Sequence, residues 1–269
     1  MNFRSISNIP VYGLLGVTGF ICGIIYLALI SRKTDIKFED AIYVYVWSAI
    51  GAMIGAKLLY IFIELPGIVY TVRRIITNNH GAGLRVYAVT MISGGFVFFG
   101  GVFGGLIAAV MACRYFRYDC DRMISVIVPA LPLVHAFGRV GCTLTGCCYG
   151  IESTLPTAII YKKSRYAPNG VALFPVQPVE AICDILIFAV LVYLVLKRKR
   201  SGHKILDTYL LMYSIIRFIL EFFRGDDIRG HWLFLSTSQW ICVFIVLYYY
   251  VRVKRSKKGR VCMIRPFDT

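Results

Sequence analysis

One short stretch of the chain, residues 138–150, combines a guanidinium group, thiols and glycines at the end of an apolar run. Its sequence is GRVGCTLTGCCYG, and the apolar run before it extends from Met123 to Phe137. An arginine is costly to place in lipid and is usually functional there. The glycines allow the backbone to leave helical geometry, so that amide groups can face an anion beside Arg139. We expect Arg139 to bind a phosphate or carboxylate ligand, with interhelical pairing to a carboxylate as the alternative.

Three of the nine cysteines lie in this stretch, at positions 142, 147 and 148. A neighbouring guanidinium group favours the thiolate, so Cys147 is a candidate nucleophile. Core packing and a disulfide are the alternatives, and together they are as well supported as the nucleophilic role. Zinc is a weaker hypothesis because the spacing lacks C-x-x-C, and we predict neither a metal nor a cofactor. His135 lies one helical turn before Arg139 and is a candidate proton carrier, with packing as its alternative.

Two later segments carry charged residues one helical turn apart. Glu180 and Asp184 follow a proline-rich helix start, and Arg217 and Glu221 end another apolar run. The carboxylates Glu180 and Asp184 can neutralise an arginine or act as bases. Arg217 and Glu221 can pair within their own helix. We expect Arg139, Arg217, Glu180 and Glu221 to point into one helix bundle.

The composition indicates the elements that must position these groups. Of the 269 residues, 58% are hydrophobic, and the mean hydropathy is +0.69, which is typical of membrane proteins. Runs of about 20 apolar residues are long enough to cross the hydrocarbon core. Seven segments qualify: Pro10–Ile30, Ala41–Ile63, Tyr87–Ala112, Met123–Phe137, Val176–Leu196, Leu206–Phe223 and Phe234–Val251. The fold class is therefore all-α, a polytopic membrane protein with seven transmembrane helices.

The distribution of basic residues predicts the orientation. Eighteen of the thirty lysines and arginines lie in three alternate connections and the C-terminal tail. Positive residues favour the cytoplasm, so the N-terminus is expected outside and the C-terminus in the cytoplasm. Attraction to anionic lipid head groups explains the net charge of +16, and we expect no nucleic-acid partner. The expected organisation is one transmembrane domain, residues 1–269, with small outer-face elements around residues 64–86 and 150–175.

Glycines are dense in two of the predicted spans. Gly51 and Gly55 have the spacing of close helix contacts. The third span contains Gly94-Gly95 and Gly100-Gly101, for which tight packing is the simpler interpretation and a broken helix lining a cavity is the other. Tyr12 lies near the outer interface, where aromatic residues are common anchors. A short strand is predicted at Thr157–Tyr161.

Seven motifs in one order resemble those of the bacterial prolipoprotein diacylglyceryl transferase family. They are Tyr12-Gly13, Gly94–Gly101, Gly138-Arg139-x-Gly141, Gly146–Gly150, Pro175-x-Gln177-x-x-Glu180, Arg217-Phe218-x-x-Glu221-Phe222-x-Arg224 and Ser236-x-x-Gln239. The likeness extends from about Pro10 to Tyr250. Four positions depart from the family pattern: Phe99 and Phe174 each replace a histidine, Cys142 replaces an asparagine and Cys147 replaces a glutamate.

The resemblance implies a seven-span enzyme of the bacterial inner membrane. Its family moves the diacylglyceryl group of phosphatidylglycerol to a cysteine thiol of a lipoprotein precursor and releases glycerol 1-phosphate. Arg139 and Arg217 would then hold the phosphate, while Glu180 and Glu221 orient them. The substrate cavity would also be lined by further residues of the motifs: Tyr12, Gly100, Gly101, Gly141, Cys142, Gly150 and Gln177.

Alternatives remain for the chemistry. Without the family histidine, His135 or Glu180 can serve as the base, and Cys147 can carry a covalent intermediate. The acceptor is then either a lipoprotein precursor or a small molecule with a thiol or another nucleophile. A second hypothesis is a non-catalytic lipid-binding or lipoprotein-handling membrane protein. A third is thiol redox or metal chemistry at the outer face.

Overall fold

The structure is a computed structural model that describes residues 2–3, 11–77, 87, 97–198, 201–226, 231–232 and 234–262. Most of these residues are helical. Several predictions fall wholly or partly outside the described ranges. They are the start of the first span at Pro10, residues 78–86 of the expected outer-face element, the first part of the third span with Gly94 and Gly95, and the tail beyond Cys262.

Five helical segments of the described chain are long and apolar enough to cross a membrane. They are α1 (Val11–Ser31), α2 (Phe38–Thr77), α3 (Phe98–Tyr115), the run Cys120–Thr145, which contains α4 (Cys120–Ile127) and α5 (Ala130–Thr145), and α6 (Val176–Arg198). Two further helices, α7 (Gly202–Glu221) and α8 (Thr237–Cys262), overlap the last two predicted spans, and α8 continues past the predicted end at Val251. The protein is therefore a mainly helical, multi-pass membrane protein.

The fourth predicted span differs from the structure at its end. The helix is interrupted before Ala130, as the prolines in this run predict, but α5 then continues through Gly138 and Gly141 to Thr145. A glycine within a helix costs only about 1 kcal/mol relative to alanine, so packing can retain it. The backbone leaves helical geometry at Gly146, which has a left-handed φ of 79°. The expected departure from the helix therefore occurs after Arg139.

Helix α2 is longer than the span predicted from its apolar residues. The prediction ended at Ile63, whereas the helix continues past Pro66 to Thr77. The described part of the outer-face element expected around residues 64–86 is thus the continuation of α2. At about 1.5 Å per residue, its 40 residues extend well beyond a hydrocarbon core about 30 Å thick.

Residues Asp35–Met123 form one compact unit, in which α2 packs against α3 through glycines. A methyl group at Gly55 would lie 2.8 Å from the Cα atom of Gly104, and one at Gly100 would lie 2.7 Å from the Cβ atom of Leu59. Only glycine permits backbones to approach this closely. The predicted close contact at Gly55 is confirmed.

Met1–Thr34 and Ile124–Thr269 form the other unit. Its helices pack as neighbours in the order α1, α5, α6, α7, α8. This order places the charged faces of α5 and α7 on either side of α6. Every charged, thiol and histidine side chain singled out in residues 135–226 therefore belongs to one unit.

A small sheet covers part of this second unit. Strand β1 (Asn2–Phe3) pairs in parallel with β2 (Ile159–Tyr161), which pairs antiparallel with β3 (Ala172–Leu173). The strand expected at residues 157–161 is confirmed at its second half. A separate two-stranded hairpin, β4 (His231–Trp232) and β5 (Leu235–Ser236), precedes α8.

Candidate anion site and thiol cluster

Two buried arginines from different helices share one buried carboxylate. Arg139 Nη2 of α5 lies 2.8 Å from Glu180 Oε1 of α6, and Arg217 Nη1 of α7 lies 3.8 Å from Glu180 Oε2. The carboxylate is 1% exposed and the two arginines are 8% and 2% exposed. Removing one partner of a buried ion pair leaves the other charge buried and uncompensated, which is costly. Each of these three residues therefore keeps the others in position. The expected convergence of the arginines on one bundle is confirmed.

The network continues to the end of α7. Arg217 Nη2 lies 2.5 Å from Glu221 Oε2, which is also 3.8 Å from Arg224 Nε. Arg224 donates two hydrogen bonds to the carboxylate of Asp226, at 2.8 and 2.5 Å. The intrahelical pair predicted for Arg217 and Glu221 is present, and it is one link of a longer chain of charges.

Some guanidinium donors of this network are not used by the protein. Arg139 Nε and Arg224 Nη1 are buried and have no hydrogen-bond partner among the described residues. A buried donor without a partner costs free energy, so such groups indicate a site that a ligand acceptor completes. An anion with several oxygen atoms has the required acceptors.

The partly buried His135 pairs with the buried Asp184 beside the arginines. Its Nδ1 atom lies 2.9 Å from Asp184 Oδ2, and its ring faces that of Tyr213 at a centroid distance of 5.4 Å. A carboxylate partner orients an imidazole ring. His135 and Asp184 lie one turn away from Arg139 and Glu180 on their respective helices, so α5 and α6 are joined by two successive side-chain pairs.

The three thiols of residues 142–148 form a cluster. The sulfur atoms of Cys142, Cys147 and Cys148 all lie within 4.8 Å of one another, and no disulfide joins them. Cys142 is buried in the last turn of α5, and the other two are partly exposed. Cys148 has a positive φ of 55°, which is uncommon for a residue with a side chain. This backbone turn brings its thiol towards the other two.

Hydrogen bonds from distant residues hold the backbone of this loop. Gln177 Nε2 donates to the carbonyl of Cys147 at 2.9 Å, and the hydroxyl of Tyr161 donates to the carbonyl of Thr143 at 2.9 Å. Burial raises the pKa of Tyr161 to about 12, so its hydroxyl remains a donor at neutral pH. Gln177, predicted to bind substrate, thus braces the loop.

The environment of Cys148 favours its thiolate. Hydrogen bonds from the thiols of Cys142 and Cys147 lower the pKa of Cys148, and the charges of Arg224 and Arg139 act in the same direction. A thiolate accepts these hydrogen bonds more strongly than a neutral thiol does. These interactions favour the thiolate of Cys148. The nucleophilic role of Cys147 stays a prediction. The hydroxyl of Thr145 lies 3.3 Å from the sulfur of Cys147.

Two of the predicted substrate-binding glycines have neighbours so close that a larger residue would collide with them. A methyl group at Gly141 would lie 3.0 Å from the ring of Tyr12, which is 54% exposed. A methyl group at Gly150 would lie 3.0 Å from both Phe174 Cβ and the carbonyl oxygen of Phe223. Gly141 thus leaves space for the Tyr12 ring at the N-terminal end of α1, and Gly150 allows two backbone segments to meet.

The predicted substrate-binding glycines of the third span have different surroundings. Gly100 and Gly101 belong to the unit of α2 and α3. Their nearest neighbours across the helix contact are backbone and side-chain atoms of α2, including Gly55 and Ala56. These contacts fit the simpler of the two interpretations, close helix packing. A role for them in substrate binding stays a prediction.

Sequence reasoning gave Arg224, Asp226 and Tyr213 no role, although the structure places all three in or beside the charged network. Arg224 follows Arg217 by seven residues, which would place the two on one face if the helix continued; α7 ends at Glu221, and Arg224 lies just beyond it. That spacing was a usable signal. Tyr213 had none, because an aromatic residue in an apolar helix usually packs in the core.

Comparison with known proteins identifies relatives over nearly the whole chain. The sequence profile of the family described as prolipoprotein diacylglyceryl transferase matches residues 2–253. A phosphatidylglycerol–prolipoprotein diacylglyceryl transferase of Clostridium tetani is 32% identical over 236 residues, which cover 88% of each chain. A second one from Clostridium perfringens is 32% identical over 88% of this chain and 86% of its own. The corresponding protein of Finegoldia magna is 27% identical over the same shares.

Proposed function

Because the chain belongs to the prolipoprotein diacylglyceryl transferase family, we propose that it transfers the diacylglyceryl group of phosphatidylglycerol to a cysteine thiol of a lipoprotein precursor. The observation that supports this most strongly is the convergence of Arg139 and Arg217, from separate helices, on Glu180. The acceptor sulfur forms a bond to the glycerol carbon of the lipid. The carbon–oxygen bond to phosphate breaks, and glycerol phosphate leaves.

The proposed reaction places a phosphate at the arginines. A phosphodiester gains a negative charge when it leaves as a monoester, so positive groups fixed around it stabilise the transition state more than the ground state. Arg139, Arg217 and Arg224 supply these groups. The unused donors Arg139 Nε and Arg224 Nη1 would bind phosphate oxygens. Tyr12 would line the lipid side of the site from α1.

The carboxylates Glu180 and Glu221 act in this proposal as positioning residues. Each contacts two arginines, and a carboxylate committed to two guanidinium groups is poorly suited to abstract a proton. His135 lies beside the arginines and pairs with the carboxylate of Asp184 at 2.9 Å. We assign to His135 the proton that the acceptor thiol loses, with Asp184 orienting the ring.

The site requires a particular membrane arrangement. All seven predicted spans cross the bacterial cytoplasmic membrane in this proposal, including α7 and α8, with the N-terminus outside. The whole chain then acts as one transmembrane domain. The arginine network would lie beneath the outer leaflet, where an anionic phospholipid and a translocated precursor can both reach it. The elements near residues 64–86 and 150–175 would lie at the outer face.

The activity is tested with purified protein, phosphatidylglycerol and a synthetic peptide that carries a lipobox cysteine. The expected result is a peptide mass increased by one diacylglyceryl group, with an equal amount of glycerol phosphate released. A peptide with serine in place of cysteine should not change mass. Arg139→Gln should abolish the product, whereas Arg252→Gln, which alters a partly exposed pair with Asp207, should retain it.

A peptide of unchanged mass, in the presence of protein that holds phosphatidylglycerol, would contradict the proposed transfer. That outcome would favour a non-catalytic lipid-binding role for the same pocket.

A further inference from the structure

The cluster of Cys142, Cys147 and Cys148 is unexplained by the proposed phosphate chemistry. We propose that these three thiols bind a thiophilic divalent cation of the zinc class, and that its remaining coordination position takes the acceptor thiol. The second half of this inference rests on the proposed transferase function. The first half, the metal site, is independent of it.

The spacing of the sulfur atoms fits one small cation. All three sulfurs lie within 4.8 Å of one another. A zinc–sulfur bond of about 2.3 Å places the sulfurs of a tetrahedral site about 3.8 Å apart. Adjustment of the side chains by less than about 1 Å would therefore close the site, with no change in the helices.

The backbone around the three cysteines has the turns that such a metal site needs. Cys142 is in the last turn of α5, Gly146 ends that helix with a φ of 79°, and Cys148 turns back with a φ of 55°. A residue with a side chain rarely adopts the left-handed region without a compensating reason. Simple packing of small side chains would not require it. Bonds from Gln177 and Tyr161 fix the same loop from outside.

The charges near the cluster match a bound thiolate complex. Three thiolates and one divalent cation carry a net charge of −1. Arg139 and Arg224 both interact electrostatically with Cys148 and balance that charge. The hydroxyl of Thr145 lies 3.3 Å from the Cys147 sulfur, and such contacts beyond the ligands orient them.

The site has three ligands and an approachable side. Cys147 and Cys148 are partly exposed, and the half-exposed Tyr12 is close enough to interact with all three thiols. Structural zinc sites are closed by four protein ligands, whereas catalytic sites keep one position open. An open position beside the proposed phosphate site is suited to an incoming thiol.

A thiol that coordinates such a cation is deprotonated. The acceptor S–H proton would leave as its sulfur binds the metal, and would pass through water to His135, about 10 Å along α5 from Cys142. The bound thiolate sulfur would then form the bond to the glycerol carbon as the phosphate oxygen leaves. The metal is neither oxidised nor reduced, and no further reactant is needed.

The metal site is tested on the full chain, purified under reducing conditions, stripped with a chelator and loaded with Zn²⁺. We expect about one zinc per chain, with affinity reduced roughly 100-fold or more in each of Cys142→Ser, Cys147→Ser and Cys148→Ser. Cys22→Ser is the matched control and should bind like the unmodified chain. Circular dichroism would verify that each variant is folded.

A second measurement uses the unmodified chain and so does not depend on whether those variants fold. The unmodified chain loaded with Co²⁺ should show thiolate charge-transfer absorption. The visible bands should shift when the lipobox cysteine peptide is added and stay unchanged with its serine counterpart. Metal binding that does not depend on Cys142, Cys147 and Cys148 would overturn the site. So would the absence of metal binding together with the loss of two of these thiols to a disulfide that a reductant reverses.

The two proposals fail differently. Undiminished diacylglyceryl transfer by the metal-free chain would overturn the role of the metal in binding the acceptor, and the proposed function would stand. A zinc-loaded chain that binds the peptide and forms no product would contradict the proposed function, and the metal site would stand.

Discussion

Arg139 and Arg217 lie on two different helices, yet both of their guanidinium groups contact the same buried carboxylate, that of Glu180. The relationship explains how a membrane protein can retain two arginines in its interior. It also fixes two planar groups of donors near each other before any ligand binds. A preorganised pair of this kind stabilises charge that develops in a reaction without reorganising at that moment.

Glu180→Gln should destabilise the protein. The substitution leaves two buried guanidinium groups with less compensation, and loss of one partner of a buried ion pair typically costs about 3–5 kcal/mol. Thermal unfolding of the purified protein should therefore begin at a clearly lower temperature. Glu152→Gln, at an exposed position, is the control. Equal unfolding temperatures for the two variants would show that Glu180 does not hold the network together.

Arg217→Lys should impair catalysis while the positive charge remains. Lysine has no planar fork and reaches only one partner at a time, so it cannot contact both Glu221 and a phosphate as arginine does. We expect kcat/KM for diacylglyceryl transfer to fall by roughly 10²-fold. Arg252→Lys changes the exposed pair with Asp207 and should leave the rate nearly unchanged. A similar loss in both variants would point to a general effect of arginine removal.

Gly141→Ala and Gly138→Ala should differ although both lie in α5. A methyl group at Gly141 would press against the ring of Tyr12 at 3.0 Å, whereas one at Gly138 meets no atom within 4 Å. Gly138→Ala should be neutral or stabilise the helix by about 0.5–1 kcal/mol. Gly141→Ala should displace Tyr12 and raise the KM for phosphatidylglycerol. A KM that is unchanged in Gly141→Ala would remove Tyr12 from the lipid site.

Alkylation of Cys148 should depend only weakly on pH. Its lowered pKa keeps the thiolate present as the pH falls, whereas an ordinary thiol with a pKa near 8.5 loses about tenfold in rate per pH unit below that value. The rate of iodoacetamide labelling of Cys148 in the metal-free chain, located by peptide mass spectrometry, should fall less between pH 8 and pH 6 than that of an ordinary thiol. Cys142→Ala/Cys147→Ala removes the hydrogen-bond donors and should restore the ordinary steep dependence.

The chemistry of the candidate site was largely predictable from residue type and helical spacing. Arg139, Glu180 and Arg217 are ionisable groups in apolar segments, and such groups must find partners inside a membrane protein. Spacing of one turn placed Glu180 with Asp184 and Arg217 with Glu221. These rules sufficed to predict one shared network, although not which carboxylate would be shared.

Other features depend on tertiary contacts that spacing does not encode. Glycine in α5 was taken as a signal for irregular backbone, but packing keeps the helix intact until Gly146. Gln177 was assigned to the substrate because of its motif, and this role stays a prediction. Its amide also reaches the carbonyl of Cys147, thirty positions earlier, a contact that spacing could not indicate. The convergence of Cys142 with Cys148 requires two left-handed residues, and sequence alone does not specify the turn of Cys148.

The most direct test of the central claim is the affinity of the purified chain for phosphatidylglycerol, compared with that of Arg139→Lys and Arg217→Lys. Binding by native mass spectrometry should weaken by about tenfold or more in each variant, and Arg252→Lys should bind as the unmodified chain does. Phosphatidylglycerol bound equally well by all four proteins would contradict a phosphate site formed by Arg139 and Arg217.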